Sequence, residues 1–236
     1  MFLTRLLLNQ RNAAVRRDLA DCRLLHSRLL SAFPDTAEPL SSARSHFGLL
    51  YRVDESAAGQ AFILVQSQIQ PDWTALPAAY LLTAAGDNGN PSCKRVDAFY
   101  DALSSDMALR FRLKANPTRK IDTKSGPDGR RRNGKRVELR GDQMWQDWLI
   151  RKAVQHGFSV RPSVMNASPD LQIVDQGKVV GAGSSAVGAG KVTMASVLFN
   201  GHLKVTDVDL FRDALAQGIG SGKAYGFGLL SVARVS

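Results

Sequence analysis

Histidine is the side chain best suited to taking or giving a proton near neutral pH, and the chain carries four, at His26, His46, His156 and His202. They lie in different predicted elements, and none stands at metal-ligand spacing from another. The two cysteines, Cys22 and Cys93, have no C-x-x-C spacing, so neither a zinc site nor a disulfide framework is suggested. No Asp/Glu cluster has nuclease-like spacing, which leaves a two-metal mechanism without support. The chemistry on offer is proton transfer by an imidazole, with no cofactor and no metal expected. His26 is one candidate, although its own neighbours favour a core histidine. Asp21 can N-cap a helix over Cys22 to Phe33, which puts His26 about one turn from the positive end of the dipole, where the neutral ring is favoured. Cys22, His26, Leu29, Leu30 and Phe33 also form one helical stripe, the pattern of a core histidine.

Charge points to a partner. The chain has 31 Lys and Arg against 21 Asp and Glu, a formal net charge of +10. Arg110 through Arg140 holds 12 basic and 3 acidic residues, hence +9 of that total. A patch this localised attracts polyanions and favours nucleic acid over a merely solvated loop. Arg119, Lys120, Arg130, Arg131, Arg132, Lys135 and Arg136 are the expected phosphate contacts. Arg110, Arg112 and Lys114 alternate with Phe111 and Leu113, which predicts a strand with one apolar buried face and one basic exposed face. A further segment, Gly218 to Gly228, has five glycines in eleven residues. Ala224 follows Lys223, so the segment fails the nucleotide-loop pattern, and it follows a helix instead of opening one. Close approach of nucleic-acid phosphates at Gly220 and Gly222, with Lys223 adding charge, is one reading; a helix C-cap and turn is the other.

The elements that must position these residues follow from periodicity and breakers. Met1 to Asn9 predicts a strand, and Cys22 to Phe33 a helix stopped by Pro34. Strands are expected at 47–53 and 61–67, a helix at 97–103 and a strand at 109–115. That order is β-α-β-β-α-β, the ferredoxin-like arrangement shared with RNA-recognition domains. Turn signals from Pro117 to Asn133-Gly134 mark a flexible basic connection. A helix at 142–156, strands at 158–166, 171–175, 192–199 and 202–205, a helix opened by Asp207 or Asp209, and a last strand at 229–235 give a second half. Gly181 to Gly190 reads as a mobile hairpin tip. The expected division is a domain at 1–117, a connection at 118–140 and a domain at 141–236. The fold class is α+β, two tandem ferredoxin-like, RRM-like domains with antiparallel sheets. No apolar run approaches the roughly 20 residues that cross a bilayer, so a cytoplasmic protein without membrane contact is expected.

Several segments, in order and over almost the whole length, resemble the CasE family of CRISPR-associated endoribonucleases. They are Met1-Phe2-Leu3-Thr4-Arg5, Arg17-Asp18-Leu19, Leu25-His26, Leu64-Val65-Gln66-Ser67, Pro71-Asp72-Trp73, the run Arg110 to Pro117, and above all Gly218 to Ser231. The resemblance implies two ferredoxin-like domains holding a CRISPR repeat RNA hairpin across a shared basic face. It implies cleavage at the 3′ base of the hairpin by 2′-OH attack without a metal, and retention in a Cascade complex with other subunits. It makes His26 the catalytic residue. The tyrosine common three residues earlier is Arg23 here, a group that could stabilise phosphate charge but not shuttle a proton. A lysine found in some relatives five residues after the histidine is Ser31, with Arg28 nearby as a substitute. The alternative is a non-catalytic RNA-hairpin-binding subunit of the same fold, with His26 structural.

Overall fold

The computed structural model describes residues 1–35, 44–83, 89–120, 136–163, 169–182 and 190–235. The chain opens with β1 (Phe2–Leu7), followed by α1 (Ala13–Ala20) and α2 (Cys22–Leu30). Each helix starts where a side chain satisfies a free backbone N–H: Asn12 Oδ1 accepts from Ala14 N–H at 2.8 Å, and Asp21 Oδ1 from Arg23 N–H at 2.9 Å. β2 (Leu50–Glu55), β3 (Ala61–Ser67) and β4 (Ser92–Arg95) complete a sheet ordered β2-β3-β1-β4, antiparallel throughout. Its core gathers Leu6, Leu8, Val15, Leu25, Leu29, Ile63, Val65 and Tyr80.

Next come α3 (Asp97–Asp101), β5 (Ala108–Ala115), β6 (Thr118–Lys120), β7 (Arg136–Glu138) and α4 (Asp142–Gln155). They lead to β8 (Phe158–Val160), β9 (Leu171–Gly181), β10 (Val192–Val205), α5 (Val208–Gln217) and β11 (Leu230–Arg234). The second sheet runs β11-β5-β10, with β8 and β9 both pairing along β10, again antiparallel. With β8 and β9 counted together as the second strand of the second sheet, each sheet places its fourth strand beside its first, its first beside its third, and its third beside its second. This is the ferredoxin-like order twice over, and the α+β class with two antiparallel sheets holds.

The division between the units differs from the one expected. The pattern at 109–115 predicts a strand that closes the first unit at 117, yet β5 pairs β10 from Lys204↔Ala108 to Val197↔Ala115. Its alternating Leu109, Phe111, Leu113 and Ala115 enter the core built by Trp148, Phe158, Phe199 and Phe211. Burying side chains of that size contributes on the order of 1.5–3 kcal/mol each, so the largest unfilled apolar face takes the strand. Leu103 joins the same core, with Phe99 and Tyr100 packed against it, and Arg212 Nη2 donates to Asp101 O at 2.7 Å, so α3 also goes with the second unit. The first unit is closed by β4, in a small-residue stretch whose pattern predicts no strand.

The described ends of the connection at 118–140 pair with each other, which the turn signals do not imply. β6 and β7 pair from Thr118↔Glu138 to Lys120↔Arg136. Glu138 fastens the base of this hairpin, pairing with Lys178 and accepting Ala195 N–H at 3.1 Å. Two strands expected at 192–199 and 202–205 are one, because Gly201 keeps the ladder with Phe111 and Leu171 unbroken. Among the described residues no helix is long and apolar enough to cross a membrane.

Candidate functional site

Three consecutive residues of β2 join the units. Leu50 meets Gly218, where an added β-carbon would lie 2.9 Å from the Leu50 side chain. Tyr51 turns to the opposite side of the strand and donates its hydroxyl to Ala224 O at 3.0 Å. Arg52, 3% exposed, donates from Nε to Asp54 at 2.7 Å and from Nη1 to Arg112 O, Leu229 O and Ser231 Oγ. The glycine-rich segment thus lies directly against the first unit. Within it Gly222 and Gly226 take left-handed conformations on either side of a short helical turn, Lys223–Tyr225.

His26 sits where α2 faces this turn and β2. Its ring stacks on Tyr51 with centroids 6.3 Å apart and planes 14° from parallel. Nδ1 is buried and has no hydrogen-bond partner among the described residues, so aromatic packing orients the ring where a carboxylate often would. Burial, and secondarily the Arg44 guanidinium, pulls the His26 pKa down to about 4. The ring is neutral at pH 7 and able to accept a proton. Arg44, itself half-buried, faces Lys223 across a cavity of about 250 Å³.

Beyond Lys223 opens a larger cavity of about 500 Å³. Arg119 and Lys120 from β6, Arg136 from β7, and Arg151, Lys152 and His156 from α4 line it, together with Gly220, Ser221 and Lys223. Among the described residues no carboxylate lines it. Crowding of like charge in a partly dry space is legible in three side chains. Lys152 is held below the usual lysine range by burial, Arg151 and Arg136. His156 is depressed by burial, Lys152 and Lys223. Lys223 is depressed by burial, Arg44 and Lys152. An arriving anion relieves all three at once, which is the electrostatic signature of an anion site. Lys223 borders both cavities and so links the His26 side to the larger one.

Of the expected residues, His26, Arg119, Lys120, Arg136, Gly220 and Lys223 are brought to this face. Gly222 is there too, but an added β-carbon would lie 2.9 Å from Phe227 and 3.1 Å from Met194 Sδ. Packing within the loop and its φ of 78° already require glycine at this position, with or without RNA. Arg130, Arg131, Arg132 and Lys135 lie outside the described residues.

The two arginines expected to assist His26 do not reach it. Arg23 donates to Ala182 O at 3.0 Å and Gly190 O at 2.7 Å, holding the facing ends of β9 and β10. Arg28 lies two residues beyond His26, about 200° around the helix, and pairs through Nε with Asp18 Oδ2 at 2.9 Å. Asp18 is 1% exposed, accepts the Tyr80 hydroxyl at 3.1 Å, and needs that cation. Arg110, Arg112 and Lys114 belong to the opposite face of the second sheet. Lys114 is largely buried beside Asp54 and Arg52 and is not exposed as expected.

Sequence reasoning does not single out Arg44, Tyr51, Arg151, Lys152, His156 or Ser221. Lys152 and His156 stand at i and i+4 on one helix, a spacing that shares a face and that reading histidines only for metal spacing passes over. Among the described residues no group of three or more His, Cys, Asp or Glu could hold a metal ion.

The family model described as "CRISPR associated protein" matches residues 1–234. The chain is 33% identical over 236 residues to the CRISPR-associated endoribonuclease Cse3 of Thermus thermophilus, covering 99% of this chain and 100% of that one. This chain belongs to the CasE family of CRISPR-associated proteins. A structure of Cse3 bound to 19 nt RNA superposes with a TM-score of 0.74 at 31% identity, covering 99% and 100% of the two chains. Thermus thermophilus Cse3 bound to an RNA representing a pre-cleavage complex gives 0.72 at 30% identity, covering 98% of each. Cas6e from Escherichia coli shares the fold, at 24% identity and a TM-score of 0.65 over the full length of both chains. Membership in the CasE family and the double sheet order rest on independent observations and agree.

Proposed function

We propose that this protein is an endoribonuclease that cuts CRISPR repeat RNA at the 3′ base of a hairpin, without a metal, and stays on its product as a subunit of a Cascade complex. The observation that carries the reading is the neutral His26 ring, stacked on Tyr51 and acted on by Arg44, which shares a small cavity with Lys223, itself a lining residue of the cation-rich larger cavity. The similarity to Cse3, a protein named as an endoribonuclease and solved with RNA, supports it.

In this reading the cavity residues Arg119, Lys120, Arg136, Arg151, Lys152 and Lys223 grip backbone phosphates of the hairpin. The scissile phosphodiester lies at His26, whose neutral imidazole takes the proton of the 2′-OH as that oxygen attacks phosphorus. The P–O5′ bond breaks, leaving a 2′,3′-cyclic phosphate and a 5′-OH that receives a proton. Arg44 and Lys223 stand closest to the charge that builds on the phosphoryl oxygens. DNA lacks the nucleophile and is inert.

The test is incubation of repeat RNA in EDTA with the wild type and with His26→Ala. A single cut by the wild type, lost in the variant while hairpin binding remains, is expected; a cut undiminished in the variant contradicts the assignment. The non-catalytic hairpin-binding reading draws on one observation, that Arg23 and Arg28 are committed elsewhere. It is the correct one if the wild type binds and does not cut.

A further inference from the structure

The face of the second sheet turned away from α4 and α5 carries a second cleft, of about 530 Å³. Arg110 and Arg112 on β5 stand opposite His202 and Asn200 on β10 in the strand register. Arg110 is exposed and has no hydrogen bond or ion pair among the described residues. Arg112 donates to Asn200 Oδ1 at 2.7 Å and has Asp54 at 3.7 Å. His202 Nδ1 is held by Asp170 at 2.6 Å, which leaves the other ring nitrogen without a partner among the described residues. Asn200 and Gln172 add amides joined at 3.2 Å.

Charge in this cleft does not balance. Among the described residues, Arg52, Arg110 and Arg112 line it with Asp170 as the one lining carboxylate, and Asp54 pairs with Arg52 and lies 3.7 Å from Arg112. Cations in excess on a partly desolvated floor favour an anionic ligand, and the open, flat shape suits an extended one. Asp170 would repel an acidic peptide. It can instead accept from a ribose 2′-OH, which is both donor and acceptor, while the amides can serve ribose or base edges.

We propose that this cleft binds unpaired RNA continuous with the 5′ side of the hairpin, with Arg110 and Arg112 on phosphates and His202, Asn200 and Gln172 on ribose or base. The assignment rests on the proposed hairpin reading. A cut at the 3′ base leaves the 5′ side attached, so the cleft keeps its hold on the product.

The experiment compares two uncleavable RNAs, 2′-deoxy at the cut position, one the hairpin alone and one the hairpin with a short unpaired 5′ extension. Both are titrated against the wild type and Arg110→Glu. The extension tightens wild-type binding roughly tenfold and steepens the salt dependence; Arg110→Glu removes that gain and leaves binding of the bare hairpin unchanged. An extension that adds nothing to the wild type, or a gain that survives in Arg110→Glu, overturns the assignment. If the extension adds nothing while polyglutamate binds the wild type and not the variant, the cleft docks protein and the RNA assignment is equally overturned. Failure of the bare hairpin to bind would instead strike the proposed function, so the two failures are distinguishable.

Discussion

The two units share a strand order and treat charge in opposite ways. In the first, Asp18 is buried with Arg28 against it, Arg28 lies over the Tyr80 ring, and the Tyr80 hydroxyl donates to the same carboxylate, a closed set in which each charge is answered. In the second, Lys152, His156 and Lys223 are gathered around a cavity with one another and with Arg136 and Arg151, and all three are held in part toward their neutral forms. A cation that is answered within the fold contributes stability; one that is not costs stability and has a use outside the fold. By that measure Arg28 is structural and Lys223 functional, although the sequence presents both simply as basic residues near a helix end.

The largest effect that sharpens this contrast is at His26, the first-unit group assigned to the proton transfer. His26→Ala is expected to slow single-turnover cleavage of repeat RNA by roughly 10²–10⁴-fold, as measured on gels, with the folded fraction unchanged. Next comes the cavity. Removing the charges of Arg119, Arg136 and Lys152 together should weaken hairpin binding and flatten log K against log salt by about 0.7–0.9 for each phosphate that is no longer neutralised. An unchanged slope in a filter-binding titration would break the contrast by removing those residues from the RNA-binding surface. A smaller effect is expected at Arg28. Arg28→Ala should lower unfolding free energy by about 1–3 kcal/mol in urea, because Asp18 is deprived of its main cation. Single-turnover cleavage by the protein that remains folded should be unchanged, and a slower rate at constant folded fraction would return Arg28 to the site.

The smallest effect is in the pH dependence of stability. The folded His26 pKa of about 4 lies below the ordinary 6.5, so the unfolded chain binds the proton first as pH falls. The contribution is complete above about 6.5 and is lost as pH drops toward 4, by on the order of 1–3 kcal/mol at most. His26→Gln should remove that part of the acid destabilisation, measured as the wild-type minus variant difference in urea midpoint between neutral and mildly acid pH.

Much of the fold is legible locally. Ala61–Ser67 is a strand with the expected limits, and Asp21 caps α2 as its side chain implies. What local pattern cannot decide is partnership. The alternation of β5 reads the same whichever sheet receives it, and only the aromatic core of the second unit settles the matter. Similarly, turn residues at 117–134 signal a connection but do not reveal that Thr118–Lys120 and Arg136–Glu138 find each other. In the site, His26 and Lys223 can be named because a family pattern carries them. Arg44 and Tyr51 escape sequence reasoning because they act through partners far along the chain, Lys223 and Ala224. Arg28 misleads because two residues along a helix turn it about 200° away from His26, and Arg23, nearly a turn before it, because its guanidinium is taken up by Ala182 O and Gly190 O.

The most direct test of the account is to measure, on the same preparations, hairpin affinity and single-turnover cleavage rate for His26→Ala and for the triple cavity variant. The predicted result is a first variant that binds normally and does not cut, and a second that binds weakly and cuts at nearly the wild-type rate once protein is saturating. Rate and affinity falling together in both variants would contradict the division of chemistry and grip between the two units.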